Sequence, residues 1–356
     1  MNDLNKVFSG SRVLITGHTG FKGSWLSVWL KLFGARIIGV SNDERTKPSH
    51  YDSIHNIFDK DLKADVRDLD VFKQIIRDNN PEFIFHLAAQ PLVLTSYSDP
   101  YSTFTSNTLG TINLLESLRT YTEDCNVVII TSDKSYENLE LDRGYHENDR
   151  IGGLDPYSGS KGAAELAIKS YFSSFFKHNH KVKLAIARAG NVIGGGDWSF
   201  GRVVPDAIKA WQEKNPLIIR NPNSTRPWQH VLEPLYGYLL LAKLLKDNIS
   251  INGEAFNFGP NADQVFSVVE VSEILEKYLL DFTWKLDSEK STTLYESKLL
   301  ALDITKAKKD LNWSPKLNFD DIIRLTAEWY KNFYAIKREN IFNFTIGQIE
   351  HYSNQL

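Results

Sequence analysis

Tyr157 and Lys161 stand four residues apart in Asp155-Pro156-Tyr157-Ser158-Gly159-Ser160-Lys161. Proline fixes a first helical turn and an apolar-periodic helix follows, so the phenol and the amine share one helical face. An ammonium near a phenol favours the phenolate, which makes Tyr157 a candidate base near neutral pH. A second cluster, Thr131-Ser132-Asp133-Lys134, directly follows the apolar run Val127-Val128-Ile129-Ile130. Four consecutive β-branched residues suit a parallel strand covered on both faces. Hydroxyls, a carboxyl and an amine at its end then lie at the carboxyl edge of a sheet, where open α/β folds bind ligands. Alone, a Tyr-x-x-x-Lys spacing is an ordinary surface turn; the elements around it give it meaning.

Those elements begin with a strand over Arg12-Val13-Leu14-Ile15-Thr16, followed at once by Gly17-x-x-Gly20-x-x-Gly23 and a helix carrying Trp25, Leu26, Val28 and Trp29. Glycines at a strand-to-helix turn let the backbone approach a pyrophosphate, and the amides of the helix start bind its charge. A second strand, Arg36 to Val40, leads into Ser41-Asn42-Asp43-Glu44-Arg45, where a late carboxylate and a nearby Arg leave NAD and NADP both open. Asp65, after a third short strand, either meets an adenine edge or caps the helix ahead of Val71 and Phe72. The fourth strand, Glu82 to Gln90, ends in small residues that leave room for a cofactor lying over the strand end, and His86 reads as a core histidine. A helix from Asn113 and a sixth strand from Val182 to Arg188 continue the alternation. The pattern predicts an α/β fold, a Rossmann-like doubly wound parallel sheet over residues 1–190, with segments at about 230–260 returning to it. Residues 191–356 then form mainly a smaller interleaved C-terminal substrate lobe, within which Gly194-Gly195-Gly196-Asp197-Trp198 reads as a flexible turn with exposed Trp and Arg around it.

Composition narrows the function. Charged residues make up 24% of the 356 and the formal net charge is −3, so no nucleic-acid footprint is present. The single cysteine, Cys125, excludes an intrachain disulfide and a cysteine-cluster metal site, and no metal is expected. A short polar start and no long apolar run give the expectation of a cytoplasmic protein with no membrane partner. In the lobe, Arg202, Arg220 and Arg226 are joined by Trp228 in Arg226-Pro227-Trp228-Gln229-His230. Guanidinium groups suit phosphate through paired donors, and an indole offers a flat face to a sugar or base, so a phosphate-bearing substrate is expected.

The glycine turn together with Tyr157-x-x-x-Lys161 resembles the extended short-chain dehydrogenase/reductase family, which works on nucleotide sugars. Ile130-Thr131-Ser132-Asp133-Lys134-Ser135-Tyr136 resembles the Thr-Asp-Glu signature of the sugar-nucleotide 4,6-dehydratases, with Ser132 in the Thr place and Lys134 in the Glu place. That Lys, with His18-Thr19-Gly20-Phe21-Lys22-Gly23-Ser24-Trp25 and Arg226 to Val231, is most similar to the CDP-glucose 4,6-dehydratases. The resemblance implies conversion of CDP-glucose to a 4-keto-6-deoxy sugar through a tightly bound NAD, with NADP not excluded. Around the cofactor it implies Gly17, Gly20, Phe21 and Gly23, then Asp65, Val66, Leu87, Ala88 and Ala89, with Tyr157 and Lys161. Around the nucleotide-sugar substrate it implies Gln90, Asn191, Arg202, Arg226, Trp228 and His230. A homodimer or homotetramer through the helices after Ser106 and Tyr157 is implied as well.

In the implied chemistry Tyr157 takes the proton of the sugar 4-hydroxyl, Ser132 bonds the same oxygen, Asp133 is the candidate acid and Lys134 the candidate base. Lys134 must lose its proton to act, which needs burial or a neighbouring cation, while Asp133 must keep one. A neutral pair meets both demands; one proton-sharing unit is the alternative, and a plain ion pair is the third reading. An epimerase or reductase of the same fold would need Tyr157 and Lys161 without an elimination acid. A dinucleotide-sensing protein without catalysis could dispense with both.

Overall fold

The computed structural model describes residues 2–42, 46–178, 181–247, 249–287, 300–335 and 340–356; Asp43, Glu44 and Arg45, on which the choice between NAD and NADP was to turn, lie outside them. Its centre is a seven-stranded sheet. Six strands are β1 (Arg12–Thr16), β2 (Arg36–Ser41), β3 (Lys60–Lys63), β4 (Phe83–His86), β5 (Cys125–Ile130) and β6 (Val182–Ala189), and Ala255–Phe258 is the seventh. Across the sheet the order is Ala255–Phe258, β6, β5, β4, β1, β2, β3, with every pair parallel. The order reverses between β1 and β4, where Thr16 lies opposite His86. A crevice opens at such a switch point because the crossovers on its two sides leave toward opposite faces.

Why these strands are central follows from their side chains. All six residues of β5 are buried, and successive ones serve opposite faces: Val128 and Ile130 enter one core cluster, Val127 and Ile129 the other. The first cluster takes in the helices Phe21–Leu32 and Leu232–Asp247; the second takes in Leu69–Asn79, Gly110–Arg119 and Pro156–Tyr171. His86 is a satisfied core histidine, 2.9 Å from the Thr16 hydroxyl and 3.5 Å from that of Thr111, and burial pushes its pKa down to about 3. Cys125 is buried and its thiol pKa is pushed up by desolvation, as suits inert packing.

Caps fix where the site helices begin. Asp155 accepts from the Ser158 amide at 3.0 Å and Pro156 occupies the first turn, so the Tyr157 helix has a defined start. The helix Leu69–Asn79 is capped by Asp68, which accepts from the Val71 amide at 3.1 Å. Asp65 is therefore not the cap.

Beyond β6 the chain forms three two-stranded pairs: Val192–Ile193 with Gln229–His230, Thr225–Arg226 with Phe266–Ser267, and Leu217–Ile219 with Trp284–Leu286. The glycine-rich turn between them is not loose. The Trp25 indole donates to the Gly195 carbonyl at 2.7 Å, the Asp197 amide donates to the Tyr330 hydroxyl at 3.0 Å, and a Cβ on Gly195 would lie 2.0 Å from the Trp329 ring. The expectation of a flexible turn is corrected: an aromatic wall of Trp198, Trp329, Tyr330 and Phe333 clamps it. Trp228 is likewise buried, not exposed. The last helix, Ile341–Ser353, returns to the helix Phe21–Leu32: Tyr352 meets Trp29 edge-on at 5.8 Å and donates to Glu233 at 2.6 Å. Among the described residues no helix is long and apolar enough to cross a membrane, and no group of His, Cys, Asp and Glu could hold a metal.

Candidate active site

A cleft of about 720 Å³ runs over the carboxyl ends of the strands, within the size range of cofactor sites. The glycine turn forms one wall. Gly17 has φ +73°, and a Cβ there would lie 2.9 Å from the Ala88 amide nitrogen; a Cβ on Gly23 would lie 2.2 Å from the Gly17 carbonyl oxygen. Only glycine permits this approach. The helix Phe21–Leu32 starts at Gly20 without a side-chain cap, so its first amides are left to a ligand. Gly20, Phe21, Leu87, Ala88 and Ala89 line the cleft, as do Asp65 and Val66. Asp65 already accepts from Arg67, which holds its carboxyl below the usual range. An open helix start, a glycine cradle and a floor of small side chains fit a dinucleotide.

The opposite wall carries the hydroxyl, carboxyl and amine groups expected to react. Ser132, Asp133, Lys134, Tyr157 and Lys161 all line the cleft. Asp133 is almost wholly buried; its Oδ1 accepts from the Ser132 hydroxyl at 2.9 Å and lies 3.7 Å from Lys134 Nζ, while its Oδ2 accepts from Asn191 Nδ2 at 3.4 Å. Lys134 keeps 29% of its side chain exposed, so burial of the amine is partial. The carboxyl has its place because Gly190 faces it: a Cβ there would fall 1.9 Å from Asp133 Oδ2.

Tyr157 and Lys161 are buried on one helical face. The amine donates to the Ile130 carbonyl at 3.4 Å, and burial pushes its pKa down to about 8 against the pull of Glu165. The phenol's pKa is raised by burial, and hydrogen bonding from Ser132, not the Lys161 charge, is the largest opposing influence. The spacing predicts a phenol made ionisable by Lys161; in the fold, burial disfavours the phenolate and the ammonium alike.

Behind this wall lies a buried brace. Glu165 Oε1 accepts from Thr131 at 2.7 Å and from Ser135 at 3.1 Å, the residues that flank the Ser132-Asp133-Lys134 turn. Arg188 donates to the same oxygen through Nε at 2.8 Å and pairs with Oε2 through Nη2. Its Nη1 donates to the Tyr136 hydroxyl at 2.7 Å, which in turn donates to Asn257 at 2.8 Å on the edge strand.

On the substrate side, Asn191, with φ +51°, lines the cleft with Arg202, Arg226 and Trp228. Arg202 pairs with Asp197 at 3.1 Å and donates to the Pro91 carbonyl at 3.2 Å. Trp228 donates its indole N–H to the Phe266 carbonyl at 2.9 Å. Two expected substrate residues are elsewhere. Gln90 is buried outside the cleft wall, its amide used up by Leu92 at 3.0 and 2.6 Å and by Thr103 at 2.9 Å, so it staples the loop after β4. His230 is fully buried, edge-on to Trp25 at 5.9 Å, with its pKa pushed down to about 3 by desolvation. His18, from the glycine turn, also points inward, 3.0 Å from Asp61 and against Gly39, where a Cβ would meet its ring at 2.5 Å. Among the cleft-lining residues with no ligand role assigned from sequence are Asp197 and Lys22. For Lys22 a signal existed, since a cation in the first turn of a helix opposes the macrodipole.

A family model described as GDP-mannose 4,6 dehydratase matches residues 14–326. The chain is 43% identical to the CDP-glucose 4,6-dehydratase of Salmonella typhimurium over 331 residues, covering 91% of each. Among solved structures, an epimerase of Methanothermobacter thermautotrophicus superposes with a TM-score of 0.80 at 23% identity, covering 94% of this chain and 96% of that one. The dTDP-glucose 4,6-dehydratase of Bacillus anthracis, solved in complex with NAD, superposes with a TM-score of 0.73 at 22% identity, covering 91% and 97%.

Proposed function

The chain belongs to the GDP-mannose 4,6-dehydratase family, and from that premise we propose that it removes water from CDP-glucose to give CDP-4-keto-6-deoxyglucose, with NAD as its resident cofactor. The reading is carried by one observation: a phenol with its hydroxyl partner and a carboxyl–amine couple face one cleft beside the glycine cradle. When bound, the nicotinamide would supply a reversible hydride acceptor, so that carbon 4 is oxidised, carbon 6 is later reduced and no net redox change results. Tyr157 takes the proton from the sugar 4-hydroxyl, and Ser132 holds that oxygen. The resulting ketone acidifies the proton on carbon 5. Asp133 and Lys134, 3.7 Å apart, act as one proton-sharing unit: Lys134 takes the carbon-5 proton while Asp133 protonates the departing 6-oxygen. Lys134 gives its proton back to carbon 5 when carbon 6 is reduced, and Asp133 regains a proton equivalent to the one Tyr157 took from the 4-hydroxyl. Asn191, Arg202, Arg226 and Trp228 hold the nucleotide sugar.

The test is to incubate the purified protein with CDP-, dTDP-, UDP- and GDP-linked hexoses and to read the alkali-induced absorbance of a 4-keto product. CDP-glucose is expected to give the highest kcat/KM. Absence of 4-keto product with every nucleotide sugar would sink the proposal, and a preference for another base would move the substrate.

A further inference from the structure

Gln229 has no part in the proton steps or the substrate clamp, yet this polar side chain is only 1% exposed. Its Nε2 donates to the Gly190 carbonyl at 3.0 Å and to the Phe258 carbonyl at 2.9 Å, while among the described residues its Oε1 accepts nothing. Two carbonyl acceptors fix the orientation of the amide, since the flipped form would set oxygen against oxygen. A buried acceptor left without a donor is costly, and an apolar side chain of the same shape would avoid that cost. The use of the amide therefore lies in the two bonds it donates.

Those bonds join three segments. Gly190 directly follows β6, Phe258 ends the edge strand beside it, and Gln229 comes from the lobe, in the short pair of Gln229–His230 with Val192–Ile193. The backbone amide of Gln229 adds a third bond, donated to the Asn191 carbonyl at 3.2 Å. Asn191 has φ +51°, a left-handed conformation that a residue with a side chain holds only where its surroundings impose it. Gln229 thus grips both residues of this corner, Gly190 through its side chain and Asn191 through its main chain. The same two residues shape the seat of Asp133: Gly190 leaves the space for the carboxyl, and Asn191 Nδ2 donates to its Oδ2 at 3.4 Å.

We infer that Gln229 is a positioning residue for Asp133, holding the Gly190–Asn191 corner so that the carboxyl meets the 6-oxygen of the sugar; its place in the elimination rests on the dehydratase reading above. The donated bonds of Gln229 reach neither Tyr157 nor Ser132, the groups that serve carbon 4. Loss of the amide therefore falls on the elimination and not on the first hydride transfer, and a small displacement of an acid from its target is costly in rate.

Gln229→Met keeps the length of the side chain and removes both donors. Mixed with CDP-glucose, the full-length, NAD-loaded variant should reduce its nicotinamide at a rate within about twofold of the unaltered chain, yet form 4-keto product roughly ten- to a hundredfold more slowly. Bound reduced nicotinamide should then accumulate, read by its absorbance. In an Asp133→Asn background the same change should cost nothing more, because the acid it positions is gone. A crystal structure of Gln229→Met should show the corner shifted against the Asp133 carboxyl, a readout that needs no turnover. Product formation at the unaltered rate overturns the inference. So does equal slowing of both steps, as a general loosening of the fold would give, a further loss on top of Asp133→Asn, or an unmoved corner. If Gln229→Met does not fold, Gln229→Glu, which keeps the shape with at most one donor, is read in the same way. An unaltered chain that makes no 4-keto product from any nucleotide sugar sinks the dehydratase reading and the elimination role with it. An unaltered chain that turns over while Gln229→Met matches it sinks this inference alone.

Discussion

Asp133 occupies a socket that any side chain at Gly190 would close, since a Cβ there would sit 1.9 Å from its Oδ2. Gly190→Ala should therefore displace the carboxyl: we expect a fall in turnover of about a hundredfold or more and a loss of about 1–3 kcal/mol in urea unfolding, as for other overpacked sites. Asp133→Asn keeps the shape and removes the acid. It should slow product formation by roughly 10²–10⁴-fold while reduced nicotinamide accumulates on mixing with CDP-glucose, seen by its absorbance. Full product formation would instead favour an epimerase-like chemistry. Lys161 gives a pH signature. Its amine titrates at about 8 in the fold against 10.5 ordinarily, so between those values the unfolded chain binds more protons and stability rises with pH. The gain in stability from Lys161→Met should be largest below pH 8, of order 3 kcal/mol, and should vanish above about 10.5, as followed by thermal melting across pH. At this scale the identities and spacings of Ser132, Asp133, Lys134, Tyr157 and Lys161 made their convergence on one cleft legible in the sequence. The sequence did not show that Gln90 and His230 are buried away from the cleft wall, because polarity in a loop does not tell a buried group from one facing a ligand.

Among the elements, the turn after β5 is held from behind by Glu165 on the Tyr157 helix and Arg188 on β6. The same helix carries Tyr157, Lys161 and Glu165, so one rigid element sets the phenol, the amine and the brace. Removing one member of a buried pair leaves the other uncompensated. Arg188→Ala is expected to cost about 3–5 kcal/mol in urea unfolding, and Glu165→Gln less, because the amide still accepts from Thr131 and Ser135. A loss under 1 kcal/mol for Arg188→Ala would show that water replaces the guanidinium. The alternation of strands and helices through β6 was legible from period-two and period-3.6 patterns, with proline and aspartate marking helix starts. Glu165 and Arg188 were not, since a charged residue in a helix or strand pattern reads as solvent-facing until its partner from another element is known.

For the whole molecule, the organising fact is that the lobe and the sheet share one core. A single apolar cluster runs from Trp25 and Trp29 of the helix Phe21–Leu32 through Leu235 and Tyr238 to Trp313, Trp329 and Tyr352. Tyr352→Phe removes one donor from buried Glu233, which also accepts from the Lys316 and Leu317 amides at 2.7 Å each. It should lower stability by about 1–2 kcal/mol in urea unfolding while leaving KM for CDP-glucose unchanged. The returns of the chain from lobe to sheet were only partly legible. Short two-residue strands carry no periodicity, and the aromatic wall that holds the Gly194–Asp197 turn draws Trp329, Tyr330 and Phe333 from more than a hundred positions away.

The contact of Tyr352 with Trp29 also bears on biosynthesis. The helix Phe21–Leu32 leaves the ribosome long before part of its hydrophobic covering is translated. A nascent polypeptide must keep those indoles from wrong associations in the interval, so interrupted translation should yield insoluble fragments rather than a shortened binder of NAD.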